Sequence, residues 1–468
     1  MRSNASLLAA LLAGTLLAGC SLAPKHVRPV AAVESGWREP AAAGGVAATS
    51  IGYADYFPDD RLKALIALGL EHNRDLAVST ARIAEARGLY GIQRADQLPG
   101  LAAQGSYARS RTASDDAGGQ GAITGSRQAV GVTVPGFELD FWGRVRNLSE
   151  AARSQYLATE AGDRSARLAM VRSIATAYWQ ERETDERLAL AEATVKSRNE
   201  GVRIAGQRLD AGVTSALDYR QAQSLLTQAE TELAALKLAR SEAHNLLVVL
   251  VGGPIPETLP RPLPLAGQKP DHALAEGLPS GLLEARPDIL AAEEQLRAAR
   301  ANVGAARAAF FPQIALTGSL GYASGDLDSL FHNDGFNWSF GPSISVPLFD
   351  WGRRKGNVDV AVARTDIAVA TYEKTVQEAF REVADALAGR RYLAEEVEAQ
   401  QRATEAQREI ARLAQIRYRE GVANYLEVLD AERNLFTAEQ ALLSLRRLEL
   451  SNLAALYAAL GGGLSPAS

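Results

Sequence analysis

The stretch YREGVANYLEVLDAE, residues 418–432, decides the fold because the chain contains a second version of it. The counterpart is RLDAGVTSALDYRQAQ, residues 208–223. Aligning Gly421 with Gly212 gives an offset of 209 residues. Both stretches place a glycine between two helical patterns, where a residue with positive φ ends a helix at little steric cost. The sequence therefore predicts two equivalent tight turns between helices.

The same offset extends over more than one hundred residues in each half of the chain. It pairs Trp142-Gly143-Arg144 with Trp351-Gly352-Arg353, and Gly252-Gly253 with Gly461-Gly462. Upstream the offset becomes 213 and pairs Leu98-Pro99 with Phe311-Pro312. We therefore expect two copies of one unit, with a net difference of four residues in a loop between the two offsets.

Each copy reads as a helix, a β-hairpin, a very long helix, a tight turn and a return helix. In repeat 1, residues 60–253, we expect one helix from Asp60 to Gln97 and a β-hairpin at 101–137. A long helix at 143–211, a turn near 212 and a return helix at 215–251 follow. In repeat 2, residues 278–463, the hairpin falls at 314–349, the long helix at 352–420, the turn near 421 and the return helix at 424–460. A connector with six prolines, 254–277, separates the copies, and 464–468 is a short tail.

Apolar residues at coiled-coil spacing support the long helices. In the first copy they recur every seven residues, at Leu188, Val195, Val202 and Leu209. In the second they step by four and three, at Val376, Phe380, Val383 and Leu387. Abundant alanine around them favours close helix packing.

The N-terminus predicts a secretory leader at residues 1–19. Arg2 precedes a short apolar run, and Leu17-Ala18-Gly19-Cys20 resembles the bacterial lipobox, which implies lipidation of Cys20. Ser21 follows, which by the same resemblance favours the outer membrane. Residues 20–59 are then an extended, lipid-anchored segment. The alternative is an ordinary leader with an unmodified thiol.

Composition argues against two broad classes of function. The net charge is −5 and no basic patch is present, so nucleic acid is not an expected partner. The five histidines are scattered, without metal-ligand spacing, and neither a nucleophile elbow nor a phosphate-binding loop occurs. We expect no enzyme activity, no cofactor and no metal site.

The strands decide the assembly, because a membrane barrel needs about eight of them and one chain offers four. An open sheet edge in lipid leaves backbone groups without partners, so if the hairpins enter the membrane, several chains must share one barrel. Trp142, Trp351 and Trp338 lie near strand ends, as is typical of the membrane interface. Packing at the strand–helix junction is an equally good account of Trp142 and Trp351.

The paired DFWGR and LFDWGR segments and the YREGVANYLEVLDAE turn look like those of the TolC-like outer membrane factors. The lipobox resembles their lipoprotein, NodT-like branch. The resemblance implies a mixed α/β membrane protein: a homotrimer with a shared twelve-stranded β-barrel, four strands per chain, continuous with a long periplasmic α-helical barrel. It implies an exit duct for small molecules such as drugs, which meets a periplasmic adaptor and an inner-membrane pump, usually proton-driven.

The resemblance also assigns roles at the two turns. Glu427 and Asp430, with Asp218 of the first copy, match acidic rings at the tunnel entrance, and Tyr418 and Arg208 are candidates for closing links. The adaptor would contact the turn residues Gly212, Val213, Thr214, Gly421, Val422 and Ala423. Without the resemblance, the two acids only decorate a solvated helix. The alternative functions are the exit duct of a type I protein secretion system and a lipid-anchored periplasmic coiled-coil adaptor.

Overall fold

The computed structural model describes residues 21–34, 36–39, 45–113, 122–275 and 279–464. The predicted leader and Cys20 lie outside these ranges, as does most of the loop of the first hairpin. The chain divides into two compact units. The sheet unit comprises Met1–Val30, Arg82–Glu160 and Ala291–Glu373, and the helical unit comprises Ala31–Ala81, Ala161–Leu290 and Lys374–Ser468.

The sheet unit contains one antiparallel sheet of four strands in the order β2-β3-β5-β6. The strands are β2 (Ala102–Thr112), β3 (Ile123–Glu138), β5 (Gln313–Ser324) and β6 (Phe336–Ser345). The first hairpin spans 102–138, close to the predicted 101–137, and its second strand begins at Ile123. The second ends earlier than residue 349, since no strand continues through Pro347.

Strand pairing locates the four-residue difference between the copies. Gly105 lies opposite Val130 in the first hairpin, and Gly318 lies opposite Phe340 in the second. The offset is 213 between β2 and β5 but 210 between β3 and β6, so three of the four extra residues lie in the loop of the first hairpin. The fourth lies in β3, where the register with β5 shifts between Val134 and Phe137. A bulge of this kind accommodates one extra residue in one strand.

Two glycines permit close contact where the copies join within the sheet. Gly131 of β3 lies opposite Gly321 of β5. A Cβ at Gly131 would stand 2.6 Å from the Leu320 carbonyl oxygen, and one at Gly321 would stand 2.3 Å from that of Val130. The junction between the two hairpins is therefore closed to larger side chains.

The helices, with two short parallel strands, make up the rest of the fold. The helices are α1 (Tyr53–Tyr56), α2 (Asp60–His72), α3 (Arg74–Ala95), α4 (Arg144–Asp210), α5 (Ala216–Val251), α6 (Pro279–Ala285), α7 (Pro287–Ala308), α8 (Arg353–Arg419) and α9 (Tyr425–Ala459). The strands β1 (Val46–Ala47) and β4 (Leu274–Ala275) pair with each other. The four longest helices differ from their predicted bounds by at most one residue at either end. Within the described ranges, no helix combines the length and apolar content needed to cross a membrane.

The expectation of one helix from Asp60 to Gln97 is wrong, because Asn73 interrupts it. Asn73 has extended backbone angles, φ −61° and ψ 134°. Its side-chain oxygen accepts hydrogen bonds from the backbone of Asp75 and Leu76, and its amide donates to the Leu250 carbonyl. An asparagine that caps a new helix in this way ends the preceding one.

The buried seam of the long helices agrees with the predicted heptads in only one copy. Val376, Phe380, Val383 and Leu387 of α8 are buried. In α4 the predicted positions are half-buried, and the buried series is Thr184, Ala191, Arg198 and Ala205. In α5 it is Ala222, Ala229, Leu236 and Ala243. Alanines occupy much of these seams because a small side chain lets neighbouring helices approach closely.

An aromatic cluster forms much of the core of the helical unit. Tyr56 stacks on Tyr457 with ring centroids 4.6 Å apart, and Phe57 contacts Trp179 edge to face. Buried polar atoms of the cluster have partners, since Trp179 donates to the side chain of Gln268 at 2.5 Å. This core joins the segment before α2 to the middle of α4 and the end of α9.

Candidate functional site

The two predicted turns have the same backbone geometry. Gly212 has φ +69° and Gly421 has φ +76°, which are left-handed values that favour glycine. The amide after each glycine donates to a carbonyl five residues back, that of Arg208 in the first turn and Arg417 in the second, both at 2.9 Å. Each glycine amide donates to the carbonyl three residues back. This is the Schellman pattern, and it satisfies carbonyl groups left free at the end of a helix.

Asp218 is engaged in starting α5. The Ser215 hydroxyl accepts from the Asp218 amide, and the Asp218 carboxylate accepts from the Ser215 amide, which forms a capping box. The Thr214 hydroxyl also donates to this carboxylate, at 2.8 Å. Hydrogen bonds from Thr214 and Ser215 lower the pKa of the Asp218 carboxyl below its usual range. The structure therefore gives this predicted gate residue a local role in its own turn.

Glu427 is free of the corresponding role. Asn424 caps α9 by accepting from the Glu427 amide at 3.1 Å. The Glu427 carboxylate instead reaches the Arg417 guanidinium on α8, with the nitrogen and oxygen 3.3 Å apart. This ion pair links the last turn of α8 to the first turn of α9.

Asp430 also has a cationic neighbour, but on its own helix. Its carboxylate lies 3.0 Å from the Arg433 guanidinium, three residues along α9. Both side chains are about half exposed. The two predicted acids thus have one arginine each, and only the Glu427 pair joins two helices.

Arg208 and Tyr418 are brought together, although they are 210 residues apart. The Arg208 guanidinium lies over the Tyr418 ring, 5.0 Å from its centroid. The same ring packs against Tyr425, with centroids 5.1 Å apart. These contacts join the end of α4 to the end of α8 and the start of α9. They rest on a buried cluster of Ala411, Ala414, Val428 and Ala431.

Sequence reasoning missed Arg417, Tyr425 and Gly201. The Tyr425 side chain reaches α4, where a Cβ on Gly201 would stand 2.6 Å from its hydroxyl oxygen. Burial raises the pKa of the Tyr425 phenol. The available signals were the Tyr425 position directly after a cap and the glycine inside a helical pattern, which often marks a close approach.

The outer faces of the turns are apolar and exposed. Val213 is 68% exposed and Val422 is 70% exposed, whereas Thr214 and Ala423 are half-buried. The two exposed isopropyl groups occupy equivalent positions of the two turns.

Farther along the helices, a polar network connects α4 with α5 and α9. The Arg187 guanidinium donates to the side chains of Glu232 and Gln440, at 3.1 and 2.7 Å. The buried Glu183 accepts from Ser444 and pairs with Arg447. Charge-assisted contacts of this kind hold the three helices in register at this level.

Comparison with known proteins identifies the family of the chain. The family model described as outer membrane efflux protein matches residues 65–253 and 278–462. The chain belongs to this family. The two matched segments run over nearly the same residues as the two predicted repeats.

Individual relatives agree with the family match. The chain is 42% identical to the solvent efflux pump outer membrane protein SrpC of Pseudomonas putida, over 96% of this chain and 97% of that protein. It is 41% identical to the outer membrane protein OprJ of Pseudomonas aeruginosa, over 99% and 97%. The open state of the MtrE outer membrane channel of Neisseria gonorrhoeae matches with a TM-score of 0.88 and 39% identity, covering 95% of this chain and 99% of that one.

These likenesses confirm the predicted family and fold class, that of the TolC-like outer membrane channels. The protein is an outer membrane component of efflux. The roles of the individual turn residues remain predictions.

Proposed function

We propose that this chain forms, as a homotrimer, the outer-membrane exit duct of a tripartite efflux system for small organic molecules. The observation that carries the proposal is the four-stranded sheet that the described residues of the chain form. Twelve strands from three copies close a barrel, whereas four cannot. Closure satisfies the backbone groups of both outer strands, as a lipid environment requires.

The cargo follows from the relatives, several of which are named for the efflux of solvents, toluene or antibiotics. We assign small apolar or amphipathic compounds on this ground. The same names favour small-molecule efflux over the export of proteins. The inner-membrane pump, usually proton-driven in such systems, selects the compound, and this chain supplies the route outwards.

The turns form the periplasmic entrance in this proposal. Three copies of Glu427 and Asp430 surround the bore as acidic rings, each acid beside its arginine, Arg417 or Arg433. The contacts Arg208–Tyr418 and Arg417–Glu427 hold the helix ends together, so an entrance that widens must break them. Asp218 contributes to the structure of its turn more than to the bore.

The remaining parts of the assembly are assigned to exposed features. Val213 and Val422, with Gly212, Thr214, Gly421 and Ala423 beside them, form the surface for the periplasmic adaptor. Cys20, once lipidated, anchors the mature N-terminus in the outer membrane.

Complementation tests the proposal. Cells that lack their own outer membrane efflux component, but retain a related pump and adaptor, are given this chain and exposed to toluene and to a lipophilic dye. We expect restored tolerance and lower dye accumulation. A control with charged side chains at the adaptor surface, Val213→Asp with Val422→Asp, should reach the membrane and fail to restore efflux. Unchanged sensitivity with the native chain, when a cognate pump and adaptor are co-expressed and trimers are present in the membrane, would refute it.

A further inference from the structure

Arg198 places a charge in a helix seam that otherwise contains small side chains. The buried series of α4 is Thr184, Ala191, Arg198 and Ala205, and Arg198 is only 7% exposed. A charged group that leaves water loses much of its solvation free energy, so a buried charge needs compensating partners. The contacts of this guanidinium therefore show how far its charge is compensated within the chain.

The described residues compensate the Arg198 guanidinium only in part. Its Nη1 group donates to the Leu225 carbonyl of α5 at 2.7 Å. The Phe436 ring of α9 has its centroid 5.7 Å from the guanidinium carbon, which is a cation–π contact near the limit of its range. Among the described residues, no carboxylate forms an ion pair with Arg198, and its other N–H groups have no acceptor. A neutral carbonyl and a ring are thus its direct partners.

The electrostatic surroundings of Arg198 agree with these contacts. Burial lowers the pKa of the Arg198 guanidinium, the Glu432 carboxylate opposes this shift, and the Arg433 charge adds to it. The Glu432 carboxylate is itself engaged, because it accepts a hydrogen bond from the Gln415 amide of α8 at 2.8 Å. The net direction is downward, so the counter-charge that the chain supplies to Arg198 is incomplete.

A cavity of about 420 Å³ lies beside Arg198, between α4, α5 and α9. Arg187 and Arg198 line it from α4, about three turns apart, and Arg433 lines it from α9. Glu232 of α5 is the one carboxylate among the described residues of the lining. The side chains of Glu232 and Arg433 are 35% and 55% exposed, so the cavity is accessible from water. Its wall carries three positive charges and one negative charge.

The other two arginines of the lining already have carboxylate partners. Arg187 pairs with Glu232, with the nitrogen and oxygen 3.1 Å apart. Arg433 pairs with Asp430 at 3.0 Å. Arg198 is therefore the arginine of this cavity whose donors are available to a negatively charged ligand.

We propose that this cavity binds a small oxyanion, a carboxylate or a phosphate, on the Arg198 guanidinium. The planar guanidinium presents parallel N–H groups whose spacing matches two oxygens of a carboxylate or phosphate. Gln228 of α5 and Gln440 of α9 line the same cavity, and their amide groups donate to the bound anion. The anion completes the counter-charge of Arg198 and joins α4 to α5 and α9. The site lies within one chain, so it does not depend on the proposed trimer.

The internal repeat shows that this helix plan does not require a charge at the position of Arg198. The 209-residue offset pairs Arg198 with Gln407 of α8, which is neutral and half-buried. An equally long helix of the same chain thus carries an amide at this place in its seam. The variant Arg198→Gln is therefore expected to fold, and it removes the charge and the planar fork together.

Thermal unfolding of the full-length lipoprotein in mild detergent tests the site. The native chain and Arg198→Gln are heated in sodium chloride, sodium acetate or sodium phosphate at pH 7 and equal ionic strength, and the helical circular-dichroism signal is followed. We expect acetate, phosphate or both to raise the midpoint of the native chain in a saturable way, because an anion that binds only the folded state stabilises it. The half-saturating concentration should be at least tenfold higher for Arg198→Gln.

Arg203→Gln is the matched control on the same helix. Arg203 is exposed and pairs with Glu200, which is exposed as well, so this variant removes one positive charge outside the cavity. It should keep the full response to the anion. Phosphate also stabilises proteins through its exclusion from their surface, and that part is common to all variants. An equal response of the native chain, Arg198→Gln and Arg203→Gln, or no response of the native chain, would overturn the site.

Arg198→Lys separates the charge from the planar fork. Lysine keeps the charge as a compact ammonium group, so the response to the anion should fall between those of the native chain and Arg198→Gln. A lysine variant that responds no better than the glutamine variant still supports the fork, whereas full responses of both variants would overturn the role of Arg198. A response of the native chain to acetate alone assigns the site to carboxylates, and a response to phosphate alone assigns it to phosphates.

Discussion

Removing the two contacts that hold the helix ends together should open the entrance. The variant Arg208→Ala with Arg417→Ala loses the contact of Arg208 with the Tyr418 ring and the ion pair of Arg417 with Glu427. An exposed cation–π contact contributes about 0.5–1 kcal/mol. The ion pair contributes roughly 0.2–1 kcal/mol, because its side chains are 56% and 42% exposed. Each chain therefore loses about 1 kcal/mol of closing free energy.

The loss of closing free energy is threefold larger when three copies open together. About 3 kcal/mol for the trimer corresponds to a shift of roughly 100-fold in the ratio of open to closed channels, at about 1.4 kcal/mol per factor of ten. Single-channel recording in planar bilayers measures this ratio as the fraction of time spent open. The part of the effect due to Arg417 should shrink at high salt, because the ion pair is screened.

Arg433→Ala is the matched control for this experiment. It breaks the pair of Arg433 with Asp430, which lies within α9 and joins no other helix. We expect an open fraction close to that of the native channel. Equal opening by the control, or an unchanged open fraction in the double variant, would refute the assignment of the two contacts as closing links.

Three further predictions concern charge, packing and pH. Glu427→Ala with Asp430→Ala should weaken the cation preference of the isolated pore, and an unchanged reversal potential in a salt gradient would remove both from the entrance. Gly131→Val should destabilise the sheet by about 1–3 kcal/mol or more, because a Cβ would meet the Leu320 carbonyl at 2.6 Å. The control Gly105→Val, whose Cβ would have its closest atom at 4.0 Å, should change thermal stability far less. The pKa of Asp218 is lowered in the fold, so its carboxylate stabilises the first turn above pH ~4, and this stabilisation is lost as the pH falls through the folded pKa. Amide exchange at the start of α5 should accelerate as the pH falls through that range. The variant Asp218→Asn should abolish this pH dependence.

The repeat and its turns could be predicted because they depend on local chemistry. A glycine between two helical patterns favours a Schellman turn, and Gly212 and Gly421 both form one. The 209-residue offset then relates everything from Trp142 onwards to the second copy. Asn73 was missed because asparagine is tolerated in helical patterns, and only its hydrogen bonds to Asp75, Leu76 and Leu250 decide that the helix ends there.

Side-chain partners were harder to predict, because they depend on which helices meet. Arg208 and Tyr418 were both selected, but their contact with each other follows from the packing of α4 against α8. Arg417 was missed since nothing in its own stretch distinguishes it from neighbouring arginines. The buried seam of α4 contains Arg198, whose guanidinium donates to the Leu225 carbonyl at 2.7 Å, so an apolar pattern alone selects the wrong face.

The central claim is that three copies share one sheet, and native mass spectrometry tests it most directly. The full-length lipoprotein is extracted from outer membranes in mild detergent and transferred intact into the gas phase. We predict a mass of three chains that persists on dilution. A stable single chain would contradict the account, because four strands leave both edges of the sheet open in lipid.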